Sequence, residues 1–245
     1  MNQTGFMKNC LLFCCLISIL SCRKTDQIKG HLTGSYVTDS VLTVSVPVLY
    51  TRNSLITDSN VIKSYVSRLS NWYPNPFPCT TCSFSFNGTT EPATSKIHID
   101  FVSPIQGTIE FNSYGKINCL IRVENNNAVF ISRDTVPFGN GNGPCSQVVN
   151  KTYVYKAPYD SCRGLSTSSG VAYSCESQPV ELVVSLDGDL YLPEIKAFTG
   201  KTGTSTGSCY SPAQFLNVFN SNLQNSLGTT DTVVVQQKRW KLRKL

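Results

Sequence analysis

Lys96-Ile97-His98-Ile99-Asp100-Phe101 alternates polar and apolar side chains without a break. Only an extended backbone sends every second residue to one side, so this stretch reads as a strand with Ile97, Ile99 and Phe101 on the buried face. The same period recurs at residues 83–86, 116–123, 128–132 and 152–156. Between these runs lie residues that tolerate positive φ: Asn87-Gly88, Ser113-Tyr114-Gly115 and Asn125-Asn126-Asn127. The sharpest hairpin runs over residues 182–192 and folds at Asp187-Gly188.

Two helices interrupt the alternation. The first spans 59–69, with Val61, Ile62, Tyr65, Val66 and Leu69 on one stripe and Asp58 as its cap. The second spans 212–227: Ser211 caps it, Pro212 opens it, Phe215, Phe219, Leu223 and Leu227 recur at four-residue spacing, and Gly228 ends it. A last strand follows at 232–242. About nine or ten strands with two helices predict a mainly β chain, an antiparallel β-barrel or β-sandwich.

The chain has 245 residues, of which 15% are charged, with Ser, Thr, Asn and Gly supplying most polar positions. This suits an extracytoplasmic β protein. Residues 1–21 read as a signal peptide: Lys8 precedes the apolar run 11–20, which is about half the length a membrane-crossing helix needs. Residues 22–30 form a polar tether, and 31–245 a single β-rich domain without internal repeat or linker.

Ile19-Leu20-Ser21-Cys22 resembles the lipobox of bacterial lipoproteins, in which a small residue precedes a cysteine that is diacylated on sulfur. The resemblance implies lipidation at Cys22, and two or three acyl chains anchor a protein effectively permanently. Ser-Cys followed by Arg23-Lys24 looks like the lipoproteins of Bacteroidota. That likeness implies a place in the cell envelope, lipid-anchored to the outer membrane and facing the periplasm or the cell surface. Three Asp-Ser/Thr-aliphatic triplets resemble the O-glycosylation sites of that phylum and make Ser40, Thr135 and Thr232 candidate sites. Gly34-Ser35-Tyr36 before the first long strand, a meander of hairpins, a late helix and a last strand loosely resemble a lipocalin, which implies a barrel around a ligand. Lipocalins favour Trp where Tyr36 stands and lack a helix after the opening strands.

Seven cysteines follow Cys22, and an oxidising compartment makes disulfides their default. Cys119 shares the apolar face of Ile117, Ile121 and Val123 and is the candidate free thiol. The other six are disulfide candidates, with Cys79–Cys82, Cys162–Cys175 and Cys145–Cys209 as the expected pairs, although sequence does not establish that connectivity.

Catalytic patterns are weak. Cys79-Thr-Thr-Cys82 has thiol-oxidoreductase spacing, but Pro74, Pro76 and Pro78 crowd its approach, and a structural disulfide explains it better. Gly203-Thr-Ser-Thr-Gly207 spells a nucleophile elbow, yet His31 and His98 both precede it, whereas that fold supplies its histidine last. Lys201-Thr-Gly203 and Ser113-Tyr-Gly-Lys116 spell β-lactamase fragments without the motif between them. His98 with Asp100, and Asp187 with Asp189, are explained by a solvated strand face and a hairpin turn. No catalytic residue, metal site or cofactor is therefore assigned.

Trp72 and Tyr73, on the proline-stiffened segment 71–78, are the recognition candidates, because such aromatics stack on sugars or anchor partners at little entropic cost; the alternative is that Trp72 and Phe77 plug one end of the core. Five of the last eight residues are basic, at Lys238, Arg239, Lys241, Arg243 and Lys244. They read as the solvated end of the last strand, and no nucleic acid is expected. The leading expectation is a membrane-anchored, non-catalytic module binding a glycan, lipid or envelope protein. A secreted hydrolase and a purely structural envelope component are the alternatives.

Overall fold

The computed structural model describes residues 32–70, 83–93, 96–111, 115–124, 127–132, 136–138, 144–155, 161–167, 170–177, 181–185, 189–204 and 207–245. In chain order they form β1 (Gly34–Val44), β2 (Val48–Thr51), β3 (Leu55–Ile56), α1 (Ser59–Ser70), β4 (Thr90–Pro92), β5 (Ile97–Ser103), β6 (Gln106–Phe111), β7 (Gly115–Glu124) and β8 (Asn127–Ser132). Then come β9 (Val136–Phe138), α2 (Pro144–Val149), β10 (Ser161–Thr167), β11 (Gly170–Ser177), β12 (Glu181–Ser185), β13 (Tyr191–Thr204), β14 (Gly207–Phe215), α3 (Leu223–Ser226) and β15 (Thr232–Lys244). The protein is mainly β, as the alternating runs require.

The antiparallel pairings trace a circuit. From β1 they pass through β5, β6, β7, β8, β12, β13 and β15, and β15 pairs with β1 again. The step from β12 to β13 is the narrowest, with Ser185 and Tyr191 its one registered pair. Each of these strands is the next one along the chain within the circuit, so the arrangement is a barrel-like meander. Its interior is solid. Buried residues from all eight strands pack as one cluster, among them Leu42, Ile99, Ile109, Ile121, Phe130, Val184, Leu192 and Trp240. Phe101 meets Tyr36 and Phe130 edge-on, with ring centroids 5.6 and 5.3 Å apart. Cys119 is a buried thiol within this cluster.

Beyond one end of the meander, β13 and β15 continue into a second layer arrangement, where β14 borders β13 and β2 and β3 extend from β15. α1 covers one face of this extension, with Ile62 and Leu69 packed on Leu49, Phe198 and Val234. Val148 and Val149 of α2 and Leu223 of α3 cover the other, against Ile195, Ala197, Val233 and Val235. A separate sheet of order β10-β11-β9 completes the strands.

α1 forms where its stripe requires it, and Asp58 Oδ1 accepts the N–H groups of Asn60 and Val61 at 2.8 and 3.2 Å. These are donors that a helix cannot satisfy internally. The helix expected at 212–227 is not there. Residues 207–215 are strand β14, only 223–226 are helical, and Phe215 stands opposite Ile195 with Pro212 opposite Phe198. The backbone of β13 needs partners along that edge, and this tertiary demand overrides a weak local helical preference. Pro212 is tolerated because β14 borders only one strand. Residues 217–219 are instead fixed to 153–155: Asn217 Oδ1 accepts the Tyr155 N–H at 3.2 Å, and Tyr153 bridges Phe219. Residues 83–86 and 152–155 also fall outside the strands, although Phe84 and Phe86 are still partly buried against the α1 cluster.

Gly107 shows how tightly the meander is filled. A Cβ added there would lie 2.8 Å from Phe130 Cε1, 2.9 Å from Ile121 Cδ1 and 2.6 Å from the Asp100 carbonyl oxygen. Gly107→Ala is expected to lower stability by about 1–3 kcal/mol through overpacking, read as a lower urea midpoint. An unchanged midpoint would mean that the interior has slack and is not the solid core described.

Candidate functional site

The face that β13 and β15 turn into the meander is polar where the barrel gives way to the helical layer. Register places Glu194 opposite Lys238 and Lys196 opposite Gln236, between the apolar pairs Leu192–Trp240 and Phe198–Val234. Glu194 Oε2 accepts the Trp240 indole N–H at 2.7 Å, and Lys238 Nζ lies 3.0 Å from Glu91 Oε2 on β4. Gln236, 1% exposed, donates to the Ser45 carbonyl at 2.8 Å and to the Ser85 carbonyl, and accepts the Ser85 N–H. Lys196, 7% exposed, places Nζ 5.6 Å from the Phe84 ring centroid. Two carboxylates and two ammonium groups thus share one enclosed row, and segment 83–92 closes over it.

The environment shifts their proton affinities. Burial pushes the Lys196 amine below its ordinary pKa, and the like charge of Lys238 pushes it further, against attraction from Glu91 and Glu194. Burial alone would raise the Glu91 carboxyl, but the hydrogen bond and charge of Lys238, aided by Ser85 and Lys196, outweigh it and hold the group below its ordinary value. Glu194 and Lys238 face each other in the register and Lys238 pairs with Glu91, whereas Lys196 stands opposite Gln236, so the row ties β4, β13 and β15 together where the meander meets the helical layer.

An open groove lies on the outside of the same end. Leu49, Ile56 and Val61 form its apolar wall, and Asn60, Ser64, Tyr65, Arg68 and Thr232 line the rest, around about 600 Å³. Tyr65 anchors its floor: the phenol donates to the Gly200 and Thr232 carbonyls at 3.2 and 3.1 Å. Gly200 lets α1 come this close, because a Cβ there would lie 2.8 Å from Leu69 Cδ1. Val61, assigned by sequence to the buried stripe, is 46% exposed and faces outward beside the groove.

Several residues singled out by sequence lie outside the described residues: Cys22, Trp72, Tyr73, Cys79, Cys82, Thr135 and Asp187. Cys162 and Cys175 stand directly opposite in the β10–β11 register, and Cys209 stands opposite Lys201. Cys145 is buried at the start of α2. Ser40 is exposed in the irregular part of β1, between the registered residues Thr38 and Leu42. Thr232 follows Asp231, which is 6% exposed and paired with Lys151 at 2.8 Å.

Asp100 does not form a base pair with His98. Its carboxylate takes the Thr108 hydroxyl at 3.1 Å and Lys116 Nζ at 3.2 Å, and the hydrogen bond from Ser35, ahead of these, holds it below its ordinary pKa despite partial burial. Asp189 is exposed and pairs with Lys241 at 2.7 Å. Among the described residues no group of three or more potential metal ligands occurs, and no helix is long and apolar enough to cross a membrane.

The sequence reading missed Glu91, Glu194, Lys196 and Gln236. The available signal was parity: Glu194 and Lys196 occupy the same face of the strand as Leu192 and Phe198, and Gln236 the same face as Val234 and Trp240. Comparison with protein-family models, with curated proteins and with solved structures finds no match.

Two outcomes follow from this chemistry. Glu194→Leu should cost about 1–3 kcal/mol by stranding the buried Trp240 N–H, whereas Glu194→Gln, which keeps an acceptor, should cost less; equal midpoints in urea would refute the pairing. Glu91 and Asp100 both have depressed pKa values, so their stabilisation is complete above the ordinary carboxylate pKa of about 4 and is lost as pH falls through the depressed values. The urea midpoint should therefore drop in acid, and less steeply in a Glu91→Gln, Asp100→Asn chain.

Proposed function

We propose that this chain is a lipid-anchored binding protein of the cell envelope, held by acyl groups on Cys22, and that it takes a glycan in the groove beside α1. The observation carrying this reading is the groove itself. It joins an aliphatic wall of Leu49, Ile56 and Val61 to the hydrogen-bonding side chains of Asn60, Ser64 and Arg68. That combination suits a sugar, whose rings are apolar on one face and whose edges carry hydroxyls. About 600 Å³ lies within the usual size range of ligand sites. The packed meander supports an outside site, since Phe101, Phe130 and Trp240 occupy the interior. Trp72 and Tyr73 lie two and three residues beyond the end of α1 in the sequence. The charged row near Lys196 supports this outside site by fixing β15, whose Thr232 edges the groove.

Two measurements test the two halves of the proposal. Wild type expressed with its own signal in a lipoprotein-processing bacterium should carry acyl mass and partition with membranes, and Cys22→Ala should do neither; soluble, unacylated wild type would end the anchor reading. On a glycan array, a retained sugar should lose about tenfold in affinity with Arg68→Ala and Asn60→Ala together, on the scale of one or two hydrogen bonds including a charged one. Retention that ignores both substitutions would place binding elsewhere.

A further inference from the structure

The end of the meander opposite the groove gathers both ends of the folded domain. Gly34, the first residue of β1, stands opposite Phe101, two residues before the β5–β6 turn. The Leu245 N–H donates to the Ser35 carbonyl at 2.9 Å, and Lys244 stands opposite Tyr36. The three most exposed large apolar side chains among the described residues all lie here: Leu245 at 69%, Val102 at 68% and Ile105 at 61%. Water disfavours such a cluster unless something covers it.

Asp100, which stands opposite Ser35 at this end, is engaged by Lys116 at 3.2 Å. Asp189 is engaged by Lys241 and Glu124 by Arg122, at 2.7 and 3.1 Å. Arg243 and Lys244 are exposed and form no ion pair among the described residues. In the sequence, Arg23 and Lys24 follow Cys22, and the ten or so residues from there to Gly34 reach at most about 40 Å when fully extended. An acyl anchor on Cys22 therefore keeps this end, with its apolar tip and basic rim, within reach of the bilayer.

We infer that this end of the meander docks on an anionic phospholipid bilayer, with Val102 and Ile105 entering the headgroup layer and Arg243 and Lys244 meeting lipid phosphates. The inference rests on the lipid-anchor reading for its geometry, but the surface has its own affinity. Apolar side chains at an interface and basic groups over anionic lipid each add to membrane binding, the latter screened by salt.

The test uses the mature chain, residues 22–245 carrying Cys22→Ala, which has neither the apolar leader nor an acyl group, in flotation with phosphatidylethanolamine/phosphatidylglycerol vesicles, with phosphatidylcholine vesicles as comparison. Binding is expected on the anionic vesicles, weaker on neutral ones and weaker with added salt. Val102→Asp with Ile105→Asp should reduce it by about tenfold or more, and Arg243→Ser with Lys244→Ser severalfold, with loss of the salt dependence. Far-UV circular dichroism checks folding, and Ile105→Ser, in the exposed turn, replaces the double change if that chain fails to fold. No flotation with anionic vesicles, or flotation indifferent to both pairs, overturns the docking surface. Acyl mass on the wild type is measured alongside. Unacylated wild type with intact, Ile105-dependent flotation would remove the anchor and leave the surface, and acylated wild type with no flotation of the Cys22→Ala chain would do the reverse.

Discussion

β15 has to satisfy backbone hydrogen bonds along both edges and packing on both faces over thirteen residues. One edge is shared by β1, against residues 238–244, and β2, against 232–235; the other belongs to β13, from Val233 to Lys241. One face runs from Val234 under α1, through Gln236 and Lys238, to Trp240 and Leu242 inside the meander. The other presents Val233 and Val235 to α2 and α3. Two architectures therefore meet in a single strand, and neither has its core without it.

The polar row follows from that junction. Where the interior changes from barrel to helical layer, the backbone of Ser45 and Ser85 leaves the regular ladder, and buried backbone groups need partners. Gln236 supplies three hydrogen bonds at that point. An apolar residue could pack there but would leave those groups unmet. The neighbouring charges tie β4, β13 and β15 together through Glu91, Glu194 and Lys238. At about 3.4 Å per residue, β15 holds the groove at Thr232 about 40 Å from Leu245, so the groove and the exposed tip at Val102 and Ile105 are set apart by one rigid element.

The parts of the fold that were legible in the sequence rest on local physics. Alternation located β5 and β7 because one face of each is buried in the same core. α1 was legible from its stripe and from Asp58, since capping is decided within three residues. The stretch 212–227 misled because Pro212, Phe215 and Phe219 satisfy a helical pattern while the deciding partner, Ile195 to Thr199 of β13, is remote in sequence. The candidate site was hidden for the same reason. Glu91 and Lys238 are 147 residues apart, and only the register of three strands makes them neighbours. The groove residues Asn60, Ser64 and Arg68 read as ordinary polar positions on an amphipathic helix, and only the edge formed by β2, β3 and Thr232 turns that side of α1 into a concave surface.

The lateness of β15 has a bearing on how the chain folds. Until residues 232–244 are available, β1, β2 and β13 each lack a hydrogen-bonded neighbour, and the cluster containing Trp240 and Leu242 cannot assemble. Non-local pairing of this kind is slow and comes after synthesis of the partners. A chain built this way stays open until residues 232–244 pair with their neighbours. The same delay leaves strand edges open to chance pairing with other chains, so aggregation competes with folding until β15 is in place.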